Sequence, residues 1–139
     1  MPASSTRVHP VYAVVGNDRL MRNDALGDIL RDLPGEVEEF PPTRVDGADA
    51  DLVEVLDEVR TPSLLGDHRV VIVDDADSFI SAGRQALERY CSNPSDGGSL
   101  ILLCNTLARN TRLYKIVSSG GKVVPCLSLI HISEPTRPY

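Results

Sequence analysis

Two carboxylates at the end of an apolar run are a candidate for chemistry in this chain, though weak evidence on their own. Val70-Val71-Ile72-Val73 delivers Asp74 and Asp75, the pattern by which a buried strand presents acidic groups to magnesium in nucleotide-hydrolysing domains. Such chemistry also needs a phosphate cradle, G-x-x-x-x-G-K-[ST], whose backbone N–H groups wrap the phosphates while a lysine reaches them. The turn that would supply it is Gly16-Asn17-Asp18-Arg19-Leu20-Met21-Arg22. It has one glycine, no lysine and no Ser or Thr in place, and Asp18 sets a negative charge where a phosphate would lie. A dinucleotide G-x-G-x-x-G is absent as well. The simplest reading of Asp74 and Asp75 is therefore a strand end followed by a capping carboxylate. The competing readings are an ATP-binding and hydrolysing domain that holds magnesium on Asp74 and Asp75 through another loop, and a regulatory domain with a small ligand at the strand ends.

Other reactive residue types form no constellation. His9, His68 and His131 are scattered and show neither triad nor metal spacing. Cys91, Cys104 and Cys126 are odd in number without a C-x-x-C pair, which argues against a disulfide framework or zinc site and for a reducing compartment. Cys104, inside Leu-Ile-Leu-Leu-Cys, reads as a small buried apolar residue. Ser118-Ser119-Gly120-Gly121 reads as a helix-ending turn, and Arg109, Arg112 and Lys115 as a solvated helix face. A phosphoacceptor receiver domain would need a further aspartate after a later strand, yet Leu103 is followed by Cys104-Asn105.

The elements that must position these residues alternate regularly. Val11–Val15 is an apolar, β-branched run closed by Gly16, the signature of a strand buried on both faces. Asn17 or Asp18 caps a helix carrying Leu20, Met21, Leu26, Ile29, Leu30 and Leu33, stopped by Pro34-Gly35. Val37–Val45 is a weaker extended segment, placed at the sheet's edge or in a loop because Pro41 and Pro42 donate no ladder hydrogen bonds. A second helix starts at Asp49 or Asp51, carries Leu52, Val55, Leu56 and Val59 on one stripe, and ends at Thr61-Pro62. Val70–Val73 is the next strand, Ser81–Cys91 a third helix, and Leu100–Leu103 a strand entered from Gly97-Gly98. Asn110–Val117 is a short helix and Lys122–Cys126 a last strand. Strands separated by helices, three of them apolar throughout, imply an α/β domain: a parallel sheet of about five strands with helices on both faces.

Composition bounds the function. The 139 residues make one domain, with 42% apolar and 24% charged residues. Fourteen Lys and Arg against 20 Asp and Glu leave a net charge of −6, the wrong sign for a self-sufficient nucleic-acid binder. No apolar run approaches the ~18 residues of a membrane span. Residues 1–10 are polar and lack the apolar core of a signal peptide, and are expected to be a disordered leading segment.

Thr61-Pro62-Ser63-Leu64-Leu65-Gly66-Asp67 is unusual for a connection, because two adjacent leucines fall between a helix and a strand. They either tuck into the core, which composition favours, or form a docking tip for a partner's pocket. An exposed pair would bury ~200 Å² in a partner, roughly 4–5 kcal/mol at ~25 cal/mol per Å² before ordering costs.

The order of segments, VYAVVGND-RL, R-VDG, L-EVRTPSLLGDHRVVIVDDAD-F and R--LY-I---G-VV-C, resembles the N-terminal domain of the delta subunit of bacterial DNA polymerase III from Val11 to Cys126. The resemblance implies a clamp-loader ATPase-like fold of the P-loop type without a working phosphate loop, so Gly16, Asp74 and Asp75 become remnants of a nucleotide site. It further implies a non-catalytic part of the replication machinery that needs no cofactor. Such a module would bind the sliding clamp and help open it through a hydrophobic pair, here Leu64 and Leu65 with Ser63 beside them. The family's usual second residue is Phe, and Leu65 departs from that. Other clamp-loader subunits would be met through further domains, DNA only indirectly, and membranes not at all; the location implied is the bacterial cytoplasm.

Leu127–Tyr139, LSLIHISEPTRPY, breaks the alternation with two prolines in its last five residues and no periodic face. It closely resembles the translation of a synthetic sequencing-library adapter, and on that resemblance the natural polypeptide is expected to run differently after Cys126.

Overall fold

The computed structural model describes residues 9–32, 43–61, 69–94, 98–107 and 110–126. Its element order is β1 (Val11–Val15), α1 (Arg19–Asp32), β2 (Thr43–Asp46), α2 (Leu52–Arg60), β3 (Arg69–Asp74), α3 (Asp77–Ala82), α4 (Arg84–Ser92), β4 (Gly98–Cys104), α5 (Arg112–Gly120) and β5 (Lys122–Pro125). The five strands form one sheet in the order β2-β3-β4-β1-β5, and every neighbouring pair is parallel. The α/β class and strand number read from the sequence are thus the architecture observed.

The pleat explains why the central strands are apolar throughout. Successive side chains point to opposite faces, so Val11 and Ala13 pack on one side of β1 while Tyr12 and Val14 pack on the other. In β4, Leu100 and Leu102 face the first side and Ile101 and Leu103 the second. All seven β4 residues are buried, as the middle position requires. One face carries α2, α3, α4 and α5, through residues such as Val55, Val59, Phe79, Leu87 and Leu113. The other carries α1, through Leu26 and Ile29, with Met21, Ala25 and Leu30 at its margin. Pro10 and His9 join the sheet ahead of β1: the Pro10 carbonyl accepts from Leu100 N–H at 2.9 Å and that of His9 from the Ser99 hydroxyl at 2.7 Å.

Local signals account for the starts of three helices. The Asp18 carboxylate accepts from Leu20 N at 3.0 Å and Met21 N at 3.3 Å, capping α1. Asp51 does the same for α2 through Val53 N, and Thr111 for α5 through Tyr114 N. Strand β2 lies at the sheet's edge, paired only with β3, the place given to it by its proline-rich approach. Residues 127–139, where the adapter-like segment falls, lie outside the described residues.

Several expectations need correction. The single helix over Ser81–Cys91 is two helices, α3 and α4, broken at Gly83. A β-carbon at Gly83 would run into the Leu52 side chain of α2, so the break lets α2 approach closely. Leu20, assigned to the apolar series of α1, is 69% exposed. Helix α5 starts at Arg112 rather than Asn110 and runs on to Gly120, so Ser118 and Ser119 are its last turn.

Candidate functional site

In a parallel α/β sheet, ligands bind outside the carboxyl ends of the strands, at the point where consecutive connections leave in opposite directions. Here that point lies between β1 and β4. The chain leaves β1 by α1 on one face toward β2, and leaves β4 by α5 on the other face toward β5. The turn after β1, Asp75 after β3 and Asn105 after β4 converge on it, whereas Asp74, the last residue of β3, pairs with Arg44 of β2.

The crevice is occupied by the chain itself. Arg22, from α1, is 5% exposed at its side chain. Its Nη1 donates to the Gly16 carbonyl at 2.6 Å and to Asn105 Oδ1 at 2.8 Å, and its Nη2 lies 3.5 Å from Asp75 Oδ1. Arg19 reaches the other Asp75 oxygen at 3.2 Å. Gly16 is pressed against the end of β5, and a β-carbon there would strike the Cys126 carbonyl. The loop after β1 therefore closes tightly instead of arching over a phosphate.

The acidic pair is committed in the same way. Asp74 takes two hydrogen bonds from Arg44 of β2, from Nε at 2.5 Å and Nη2 at 2.8 Å, and its backbone carbonyl accepts from Gly47 N at 2.6 Å. The bond to Asp74 holds the Arg44 guanidinium above its ordinary pKa, against the opposing effect of burial. Neither Asp74 nor Asp75 caps a helix: the N-cap of α3 is Ala76, which has no side-chain cap. Asp77 carries the carboxylate that accepts from the backbone, taking Asn105 N at 3.0 Å and Thr106 N at 3.3 Å. The capping role read for the pair is thus overturned, and both groups instead neutralise arginines. Among the described residues, no group of three or more His, Cys, Asp or Glu side chains is placed to hold a metal ion.

Ser63, Leu64 and Leu65 lie outside the described residues, but both ends of their connection are visible. Arg69, the first residue of β3, donates from Nε to the Thr61 carbonyl at 3.2 Å and from Nη1 to Glu58 at 2.8 Å. Glu58 also accepts from the Thr43 hydroxyl at 3.1 Å. The end of α2, the start of β3 and the edge strand are thereby tied together.

The sequence reading missed Arg22, Arg44, Arg69 and Asn105. A signal existed for Arg22, which stands four and seven positions before Leu26 and Ile29 on the stripe that packs against the sheet. A cation there needs a buried acceptor. Cys104 is buried as expected, Cys91 and Cys126 are buried as well, and Arg112 and Lys115 are solvated.

Fold and crevice together define an α/β module with the layout of a nucleotide-binding domain, in which a guanidinium fills the switch point. Among solved structures, the chain is similar to the Bacillus subtilis DNA clamp loader delta protein, with a TM-score of 0.74 and 20% identity over 90% of this chain and 40% of that one. It is also similar to a Thermotoga maritima DNA polymerase III gamma subunit-related protein, with a TM-score of 0.55 and 13% identity over 89% of this chain and 43% of that one. The chain thus spans about two fifths of the length of these structures. The sequence matches none of the curated proteins compared with it. A model of the family described as DNA polymerase III, delta subunit, matches residues 12–127, and the chain belongs to that family.

Proposed function

We propose that this chain is the clamp-contacting domain of a clamp-loader delta subunit, docking onto the sliding clamp through Leu64 and Leu65, with Ser63 beside them, and helping to open it without hydrolysing nucleotide. The observation that carries the reading is the pinned base of the α2–β3 connection. Arg69 binds Thr61 and Glu58 across it, so the described residues on either side of the two adjacent leucines, Thr61 and Arg69, are held to each other. A docking segment joined to ends fixed in this way would lose less conformational freedom on binding than one joined to loose ends. Family membership supports the partner class.

Nucleotide hydrolysis by this domain is opposed by the charge arrangement. Asp74 and Asp75 face guanidinium groups, and the Arg22 guanidinium is bonded to the Gly16 carbonyl in the turn that would have to cradle a triphosphate. The domain works within the cytoplasmic replication machinery, meeting other loader subunits through further domains and DNA through the assembled complex. No helix among the described residues is long and apolar enough to cross a membrane.

The test is surface plasmon resonance of the chain over an immobilised bacterial sliding clamp. Leu64→Ala with Leu65→Ala should lose binding by about a thousandfold if the pair contributes 4–5 kcal/mol, with an unchanged circular dichroism spectrum. Undiminished binding by the double variant would remove the docking role from these residues.

A further inference from the structure

We infer that Arg22 is an internal ligand of the switch-point crevice, holding the carboxyl ends of β1, β3 and β4 in one arrangement in place of a bound molecule. Its guanidinium touches one group from each strand's following turn: the Gly16 carbonyl, the Asp75 carboxylate and the Asn105 side-chain amide. A buried guanidinium is costly unless its donors are satisfied, and here several of them find acceptors on three separate chain segments. The geometry uses the planar fork of arginine: one nitrogen bridges β1 and β4 while the other turns toward β3. A lysine ammonium, being a point donor, cannot span the same set.

The backbone around Asp75 fits this role. Asp75 has φ of 48°, a left-handed conformation that a non-glycine residue keeps only when its surroundings impose it. Arg22 and Arg19 hold its carboxylate from two sides, fixing the turn from β3 into α3. Two backbone bonds then report on the strand ends: Gly16 N to the Cys104 carbonyl at 3.0 Å, and Ala76 N to the Leu103 carbonyl at 2.8 Å. The platform is thus set by the chain itself, and its conformation does not wait on a ligand. This inference stands apart from clamp docking and survives if that reading fails.

The experiment uses the whole 139-residue chain. Arg22→Ala leaves a guanidinium-shaped space lined by its former acceptors, so millimolar methylguanidinium should raise the melting temperature of the variant but not of the parent. Methylammonium, which has the charge without the fork, should not. Absence of rescue, or equal rescue by methylammonium, would overturn the inference. Arg22→Lys gives a second reading should the alanine variant fail to fold. Amide hydrogen exchange at Gly16 and Ala76 should then accelerate about tenfold, the loss of roughly one charge-assisted hydrogen bond, with the amides of β2 unchanged. Uniform acceleration across the sheet, or none, would likewise overturn it.

Discussion

Arg44 binds both carboxylate oxygens of Asp74, at 2.5 Å from Nε and 2.8 Å from Nη2. The pair joins the edge strand β2 to β3, and the same guanidinium extends to Asn23 of α1 at 3.1 Å. The carboxylate best placed by sequence to hold magnesium therefore serves as a cross-strand tie. Short edge strands have few ladder bonds, so a bidentate arginine beside one adds geometry as well as charge.

Arg44→Met should lower stability modestly. The side chains are 45% and 33% exposed, so solvent screening limits the loss to about 0.5–1 kcal/mol. Urea denaturation at low salt should show that loss, and molar salt should shrink it. Isothermal titration with magnesium and ATP should show no binding in parent or variant, since freeing Asp74 leaves Arg22 in the crevice. A micromolar affinity gained by Arg44→Met would mark Asp74 as a competent metal ligand.

Gly16→Ala should cost more. The added β-carbon meets the backbone carbonyl and side chain of Cys126, and neither can rotate out of the way while Cys126 N stays bonded to the Val15 carbonyl at 2.6 Å. Overpacking of this kind costs about 1–3 kcal/mol, read as a lower urea midpoint with an unchanged slope. Gly27→Ala on α1 is the control, because its β-carbon would come near only the Arg31 side chain. That change should be neutral or slightly stabilising.

The parts of this molecule written locally are the parts legible in its sequence. Runs such as Val11–Val15 and Leu100–Leu103 announce strands buried on both faces, and Asp18, Asp51 and Thr61 mark helix ends beside them in the chain. What escaped depends on partners far apart in sequence. Gly83 reads as a tolerated helix residue until Leu52, from another helix, is seen pressing on it. Arg22 reads as one more charge until Asn105, 83 positions away, supplies its acceptor. Asp74 looked like a cap or a metal ligand because the arginine that neutralises it lies 30 positions earlier. Charge pairing across strands has no periodicity, so spacing alone does not reveal it.

Alkaline pH should destabilise the domain through its cysteines. Burial, with Asp77 adding to it and Arg22 opposing, pushes the Cys104 thiol from 9.0 up to about 12. Burial, helped by Glu88, does the same for Cys91. In the unfolded chain both thiols ionise near their ordinary value, so above that value the unfolded state has lost protons that the native state retains. Stability is then full below about pH 9 and falls as pH rises toward 12. The urea midpoint should decline across that window, and Cys91→Ala should flatten the decline while costing some packing. At pH 8, Ellman's reagent should label native protein slowly and urea-unfolded protein at once, whereas rapid native labelling would contradict the burial of all three thiols.

Leu65→Phe should strengthen clamp binding if the pair docks as proposed. The ring adds apolar surface of about 40 Å², worth about 1 kcal/mol at ~25 cal/mol per Å², or roughly fivefold in affinity. The gain should appear as slower dissociation, since variants of one interface differ mostly in that rate. Leu64→Ala in the same background should then erase most of it, because two side chains docked in one pocket would contribute in a coupled way. Equal affinity of Leu65→Phe and the parent would mean that the pocket is shaped for an aliphatic tip. Weaker binding by both Leu65→Phe and Leu65→Ala would mean that it tolerates neither a larger nor a smaller side chain, and that Leu65 is a fitted residue of this chain and not a reduced form of the family's Phe.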